Sequence, residues 1–300
     1  MLVVKKLNKN SSRLIKAFQG FRDGLQPFSD PPKGMFGRVA IIESGGVRLS
    51  SDELDIEFEV PFDDDTEANE CEIIVYNLSK TTIQALKWNN PITITAGYKG
   101  DTGVIFSGFI SKVTTKKDGI DKITTIKALD DTDLKERDLV NKAYKAGTKA
   151  SYILKDLIGY LKLPLAVFKV RRDWTYKDDV NIDGGLMGNI RDYAEVCGIS
   201  VYINKGKIYA RHISEGDNIN FTVSADTGLI GSPEEFEEEV TAEDYKDIIK
   251  GYELSMILQH RMTTAAIITL KSENASGKFR VRSGIHKFSP DESITEVEVI

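Results

Sequence analysis

The stretch Glu53-Leu54-Asp55-Ile56-Glu57-Phe58-Glu59-Val60 alternates without a break between acidic and apolar residues. Successive side chains of a strand point to opposite faces, so a period of two means one buried face and one solvated face. This segment predicts a half-buried strand whose core side carries Leu54, Ile56, Phe58 and Val60. Its other side carries Glu53, Asp55, Glu57 and Glu59.

The same period extends outward. Strands are predicted at about 36–43, 70–77, 91–98, 103–113 and 121–129, with Gly45-Gly46 and Asp118-Gly119 as turn signals. Ser79 stands at an N-cap position before Ile83 and Leu86, one turn apart, which predicts a short helix plugging one end. Residues 35–135 therefore read as a first antiparallel β-barrel-like domain. Before it, residues 1–34 form a polar arm in which Ser12 caps a segment carrying Leu14, Ile15, Phe18 and Phe21 at helical spacing, ended by Pro27, Pro31 and Pro32.

From 136 to 215 the pattern changes to an α/β insertion. Thr148 is placed to cap a helix with Ile153, Leu154, Leu157, Ile158 and Leu161 on one face, and Leu165 to Val170 reads as a strand. A second helix carries Leu186, Ile190, Tyr193 and Cys197. Two strands, Ile199 to Ile203 and Lys207 to His212, follow around a turn at Asn204-Lys205-Gly206. Residues 216–300 return to the strand period at 219–224, 250–260, 263–271, 277–286 and 293–300, a second β-barrel-like domain. The fold class is thus mainly β with an α/β insertion. The β, α/β, β layout recurs without close internal sequence repetition.

The composition narrows the function. With 300 residues, 41% hydrophobic and 29% charged, the chain is ordinary for a folded protein of two or three domains. A net charge of −6 disfavours stable nucleic-acid binding, which rests on attraction to phosphates. Exceptions are Lys5, Lys6, Lys9, Arg13 and Lys16 at the N-terminus, and Lys112, Lys116 and Lys117 beside a turn. No segment approaches the roughly 18 apolar residues of a membrane span, and the N-terminus is too short in apolar residues for a signal peptide, so no membrane anchor is expected. Cys71 and Cys197 lie in different elements and read as reduced core residues.

Motifs for chemistry fail on inspection. Asp179, Asn181, Asp183 and Gly184 match positions one, three, five and six of a calcium loop, but Ile190 stands where the bidentate glutamate belongs. Asp183 is better read as a turn and cap residue before the helix near Gly185. No Gly-x-Ser-x-Gly, Cys-x-x-Cys, His-Glu-x-x-His or phosphate-cradling glycine motif occurs, and Gly97, Gly100 and Gly103 read as loop residues. His212, His260 and His286 read as strand-end residues. Asp63-Asp64-Asp65 and Glu234-Glu235 with Glu237-Glu238-Glu239 read as exposed loops. No catalytic, cofactor or metal residue is assigned.

The ordered segments resemble the phage baseplate hub family, which includes late control protein D of contractile tails, hubs of tail-like bacteriocins, and the hub portion of type VI secretion spikes. The resemblance rests on Glu72-Ile73-Ile74-Val75-Tyr76-Asn77-Leu78-Ser79, Ile92 to Tyr98, Val104 to Ile110 and Thr124 to Asp130. It continues through Gly147 to Leu154, Thr227 to Pro233, Gly277 to Val281 and Ile285-His286, and covers about residues 36–300. It implies a non-enzymatic virion protein made in the cytoplasm, without cofactor. Two barrel domains would alternate around a homotrimeric ring that adapts a sixfold tail tube to a threefold spike. Implied partners are a second and third copy, the tail tube or tube-initiator protein, the spike and the tape-measure protein. Two other classes stand beside it: a tail-associated cell-wall hydrolase, and a carbohydrate- or receptor-binding module in which Trp88, Trp174 and Tyr176 stack on sugars, packing being the favoured role of each. The face with Glu53, Asp55, Glu57 and Glu59 would suit a channel that repels DNA phosphates.

Overall fold

The computed structural model describes residues 36–65, 68–130, 138–242 and 245–300; the arm read in residues 1–34 lies outside them. The first seven strands are β1 (Arg38–Ser44), β2 (Val47–Ser50), β3 (Ile56–Phe62), β4 (Glu70–Tyr76), β5 (Pro91–Tyr98), β6 (Asp101–Asp118) and β7 (Asp121–Leu129). Their inward residues, among them Ile56, Phe58, Val60, Ile73, Val75, Ile94 and Ile126, close one hydrophobic core. Helix α1 (Lys80–Ala85) begins as the sequence predicts, the Ser79 hydroxyl accepting from the Thr82 amide at 3.0 Å, and Leu86 seals the core beside it.

The middle segment holds β8 (Asp138–Tyr144), α2 (Ala150–Gly159), β9 (Leu165–Phe168), β10 (Val180–Gly185), α3 (Leu186–Val196), β11 (Ser200–Asn204) and β12 (Lys207–Arg211) around a second core. Lys205 and Gly206 both take positive φ in the hairpin turn between β11 and β12. The caps differ from expectation. Thr148 donates back to the Lys145 carbonyl, and the first turn of α2 is held by Asp173, whose carboxylate accepts from the Ser151 amide at 3.0 Å and hydroxyl at 2.8 Å. A capping group twenty-two residues away leaves no local signature. Nor does Asp183 cap α3: its carbonyl accepts from Asn189, and Gly185 occupies the N-cap.

The last strands are β13 (Asp217–Val223), β14 (Leu229–Ala242), β15 (Tyr245–Ile257), β16 (Ala266–Lys271), β17 (Ser276–Phe288) and β18 (Ser293–Val299), closing a third core. β14 is a correction. Glu234, Glu235, Glu237 and Glu238 were read as a loop because glutamate is depleted from strands, yet their backbone is held by the long register with β15. β13 and β16 are parallel, a departure from the wholly antiparallel expectation.

The two β bodies are one sheet. Its order is β14-β15-β18-β17-β3-β4-β7-β6-β5-β1-β2, antiparallel along this path. β17 makes the join: Ser276 to Arg280 pair with β16, and Gly284 to Phe288 pair with Phe62 to Phe58 of β3. The orders β3-β4-β7-β6-β5 and β14-β15-β18-β17-β16 match, and so do the registers. Cys71 faces Ala128 and Tyr252 faces Val299; Lys116 faces Ile123 and Lys287 faces Ile294. Glu59 faces Glu72 as Glu234 faces Glu253. Each long strand carries its bulge at the same place, between Ile110 and Lys112 in β6 and between Val281 and Ser283 in β17. The duplication is invisible as sequence and plain as register.

The seam is dry. Phe58 stacks on Phe288 with centroids 5.2 Å apart, and Phe62 lies 5.0 Å from His286. His286 lies two residues before the end of β17, near the strand end as read, and is fully buried, with Nδ1 2.8 Å from the Thr295 hydroxyl and Nε2 3.1 Å from the Met262 carbonyl. Beside it, Arg280 pairs with Asp64 at 2.7 Å and donates to the Glu215 carbonyl, while Arg261 grips Asp101 with two bonds of 2.8 and 2.6 Å. The Asp63-Asp64-Asp65 segment is therefore structural, not merely solvated. Burial, then Asp65, pushes the Asp63 carboxyl up to about 7.

Two outcomes follow. A Cβ on Gly108 would sit 2.1 Å from the Leu129 carbonyl oxygen, so close approach of backbone requires glycine there. Gly108→Val should cost about 1–3 kcal/mol or more in chemical denaturation, whereas Gly159→Ala, at the open end of α2, should be neutral or stabilising; equal midpoints for Gly108→Val and wild type would refute the argument. Burial pushes the His286 imidazole down to about 3 from its ordinary 6.5. The unfolded chain therefore binds the extra proton between those values. The stability His286 confers is complete above pH 6.5 and is lost as pH falls toward 3, by about 1.4 kcal/mol per pH unit. His286→Asn should remove that slope; the difference curve against wild type isolates it from Asp63, whose raised value acts in the opposite direction.

Candidate functional site

Both β cores lie on one side of the shared sheet, so the opposite side is a single surface. Residues facing one another across antiparallel strands share a face. Starting from Glu59, the register leads to Glu72 and Lys127 on one side, and to Lys287 and Glu296 on the other. It continues through Glu298 to Glu253 and Glu234. Glu57 and Glu70 extend it along their strands. The alternation that opened the sequence thus runs across seven strands as an acidic face.

Three of its bases are occupied. Lys127 lies 2.6 Å from Glu70 and 3.5 Å from Glu72, Lys287 lies 2.6 Å from Glu296, and Arg282 contacts Glu238. Glu59, Glu70, Glu72 and Glu234 are exposed; Glu57, which accepts from the Tyr76 hydroxyl at 3.2 Å, is half-buried. Partial burial, then Glu298 and Glu234, raises the Glu253 carboxyl above its ordinary range. Burial also raises Glu296, against the pull of Lys287. Such a row gives a negative, hydrated wall that repels polyanions. Glu53 and Asp55 precede β3 and lie outside the ladder.

The other sequence candidates scatter. Asp179 pairs with Lys145 at 2.9 Å and accepts from the Ala146 amide, and Asn181 and Asp183 lie on strand β10 rather than in a twelve-residue calcium loop. Among the described residues no group of three or more His, Cys, Asp or Glu is placed to hold a metal. His212 lies 2.6 Å from Arg171, and His260 sits by Asp101. Trp88 and Trp174, expected to pack, are 56% and 59% exposed on separate bodies; Tyr176 packs edge-on against Tyr193. Cys71 and Cys197 are buried and free, as expected. Gly97 and Gly103 are strand residues; a Cβ on Gly97 would meet the Asp101 carbonyl at 2.3 Å.

No family model and no curated protein sequence matches the chain. Solved structures do. The 43 kDa tail protein of prophage MuSo2 from Shewanella oneidensis superposes with a TM-score of 0.59 at 7% identity, covering 87% of this chain and 97% of that one. A tail protein from Neisseria meningitidis MC58 gives 0.61 at 10%, covering 88% and 96%. The chain has the fold of phage tail proteins. An E. coli component of the type VI secretion system, described as similar to the T4 tail proteins gp27 and gp5, gives 0.59 at 10% over 86% of this chain and 76% of that one. The hub-family resemblance in the sequence is thereby met at the level of fold. Among the described residues no helix is long and apolar enough to cross a membrane.

The crowding of Glu253 has a measurable cost. Glu253→Gln should raise stability at pH 7 by about 0.5–1 kcal/mol, since like charges facing across strands are destabilising. The gain should shrink as the wild-type carboxyl is protonated in mild acid; a gain that is independent of pH would point to packing instead.

Proposed function

We propose that this chain is a structural, non-enzymatic baseplate hub subunit of a phage or phage-tail-like particle. Three copies form a ring that adapts a sixfold tail tube to a threefold spike. Residues 35–135 and 216–300 are its two ring-forming domains, 136–215 an insertion and 1–34 an arm. The observation that carries the reading is the single acidic face spread over two repeated β bodies. Three such chains offer six similar sheets to a tube while keeping threefold symmetry for a spike. With the acidic face turned inward, the ring has a channel wall on which passing DNA does not stick. Its partners are then its own copies, the tube or tube-initiator protein, the spike and the tape-measure protein.

Removing the chain from a tail-producing strain should leave no tails bearing a spike, and the purified chain should have the mass of three copies. Normal tails formed without it would overturn the hub assignment. For the channel, Glu57→Lys, Glu59→Lys and Glu72→Lys together should leave assembly intact and lower DNA delivery by about tenfold or more. An assembled structure with this face turned outward would refute that part alone.

A further inference from the structure

The insertion is fastened to the β bodies at both ends of β12. At its exit, Arg211 grips Asp217 with bonds of 2.9 and 2.8 Å, and Arg280 donates to the Glu215 carbonyl at 2.9 Å. At the other end of β12, the turn from β11 reaches both bodies at once. The Asn204 side-chain oxygen accepts from the Thr263 hydroxyl at 2.8 Å, and the Lys205 ammonium donates to the His260 carbonyl at 3.3 Å, both in the segment between β15 and β16. A Cβ on Gly206 would lie 3.9 Å from the Cβ of Ser107 in β6. His260 ties the two contacts together. Its ring covers Gly103 of β6, where a Cβ would meet it at 2.2 Å, and its Nε2 lies 3.8 Å from Asp101, which Arg261 also holds.

We infer that the β11–β12 turn is a releasable latch holding the insertion against both β bodies, and that a proton on His260 opens it. The contact is suited to reversal: Asn204, Lys205 and Gly206 bring no apolar side chain to it, and the Lys205 bond is long for a charged donor. The charged and titratable groups that meet there are Lys205 from the turn, His260 and Arg261 from the β15–β16 segment, Asp101 from β6, and His286 from β17. With His260 neutral, two of these are cations and one is an anion; a proton on His260 makes three against one. Burial, then Arg261, already holds the His260 imidazole below its ordinary 6.5, with Lys205 acting the same way and Asp101 opposing. Burial pulls the Lys205 amine down to about 8. His286, pushed down to about 3, stays neutral throughout. The docked turn therefore binds fewer protons than the free one, and acid favours release: Lys205 acts as pH falls from 10.5 toward 8, His260 as it falls below 6.5. Opening frees the insertion at the turn while the Arg211 and Arg280 contacts keep its exit in place.

Hydrogen exchange of the full-length chain, corrected for intrinsic rates, reads the latch at about pH 7.5 and about pH 5. Protection of the amides in the turn and in the segment from Gln259 to Thr264 should fall by up to about tenfold for each pH unit below 6.5, while the β17–β3 seam stays protected. His260→Gln should keep that protection at both pH values, and Lys205→Met should weaken the response. Ser107→Cys with Gly206→Cys places two Cβ atoms at a separation that suits a disulfide, and its oxidation should abolish the response; Cys71 and Cys197 are buried. Equal protection of the wild type at both pH values overturns the latch, and so does an acid loss that survives His260→Gln. A loss removed by His212→Gln instead would assign the response to the exit, where His212 lies 2.6 Å from Arg171, and overturn it as well. A cysteine pair that does not oxidise shows that the turn is not docked. Asp63, raised to about 7, does not mimic the loss, because its protonation favours the native state.

Discussion

Everything in this fold depends on five antiparallel residue pairs between β17 and β3, Gly284 to Phe288 against Phe62 to Phe58. Without them the chain is two β bodies with separate cores. With them the strand pleat is continuous, and the inside-outside parity of one body is imposed on the other. A shift of one residue at this seam would turn every side chain beyond it to the wrong face. The acidic face is therefore a consequence of register, and it is as precise as the stacking of Phe58 on Phe288 that fixes that register.

The seam and the face pull in opposite directions energetically. Around His286 the chain buries a neutral imidazole with both nitrogens satisfied and two pairs of rings in contact. On the other side of the same strands it sets Glu59 against Glu72 and Glu234 against Glu253, arrangements that cost stability. Lys127 and Lys287 offset only part of that cost. A surface that is merely solvated does not need carboxylates facing one another across neighbouring strands; a surface that must stay negative and non-adhesive does.

The sequence reveals what period and turn chemistry encode. The alternation at 54–60, the Ser79 cap and the Lys205-Gly206 turn all form as read, because each is a local preference that the fold agrees with. What it hides is non-local. Asp173 caps a helix from a distant loop, Arg280 reaches Asp64 across the seam, and β14 is a strand only because β15 pairs with it. The acidic face was half legible: Glu57 and Glu59 declare themselves by alternation, whereas Glu234, Glu253 and Glu298 join them only through the register of three strands. The internal repeat was illegible, since equivalent positions share backbone pairing and few side chains.

Those differences between equivalent positions carry meaning. Where the internal seam has Gly284, His286 and Phe288, the matching positions of the open β6 edge hold Val113, Thr115 and Lys117. The internal set is a half-buried glycine, a buried imidazole with both nitrogens bonded and a buried phenyl ring, suited to a permanent junction. The external set is polar enough to stay hydrated, and lysine on an edge discourages indiscriminate strand addition. Thr115 keeps the bond across to Thr124 that His286 makes to Thr295, so the backbone geometry is preserved while the chemistry changes. One strand design thus gives a permanent joint in one repeat and a hydrated edge in the other.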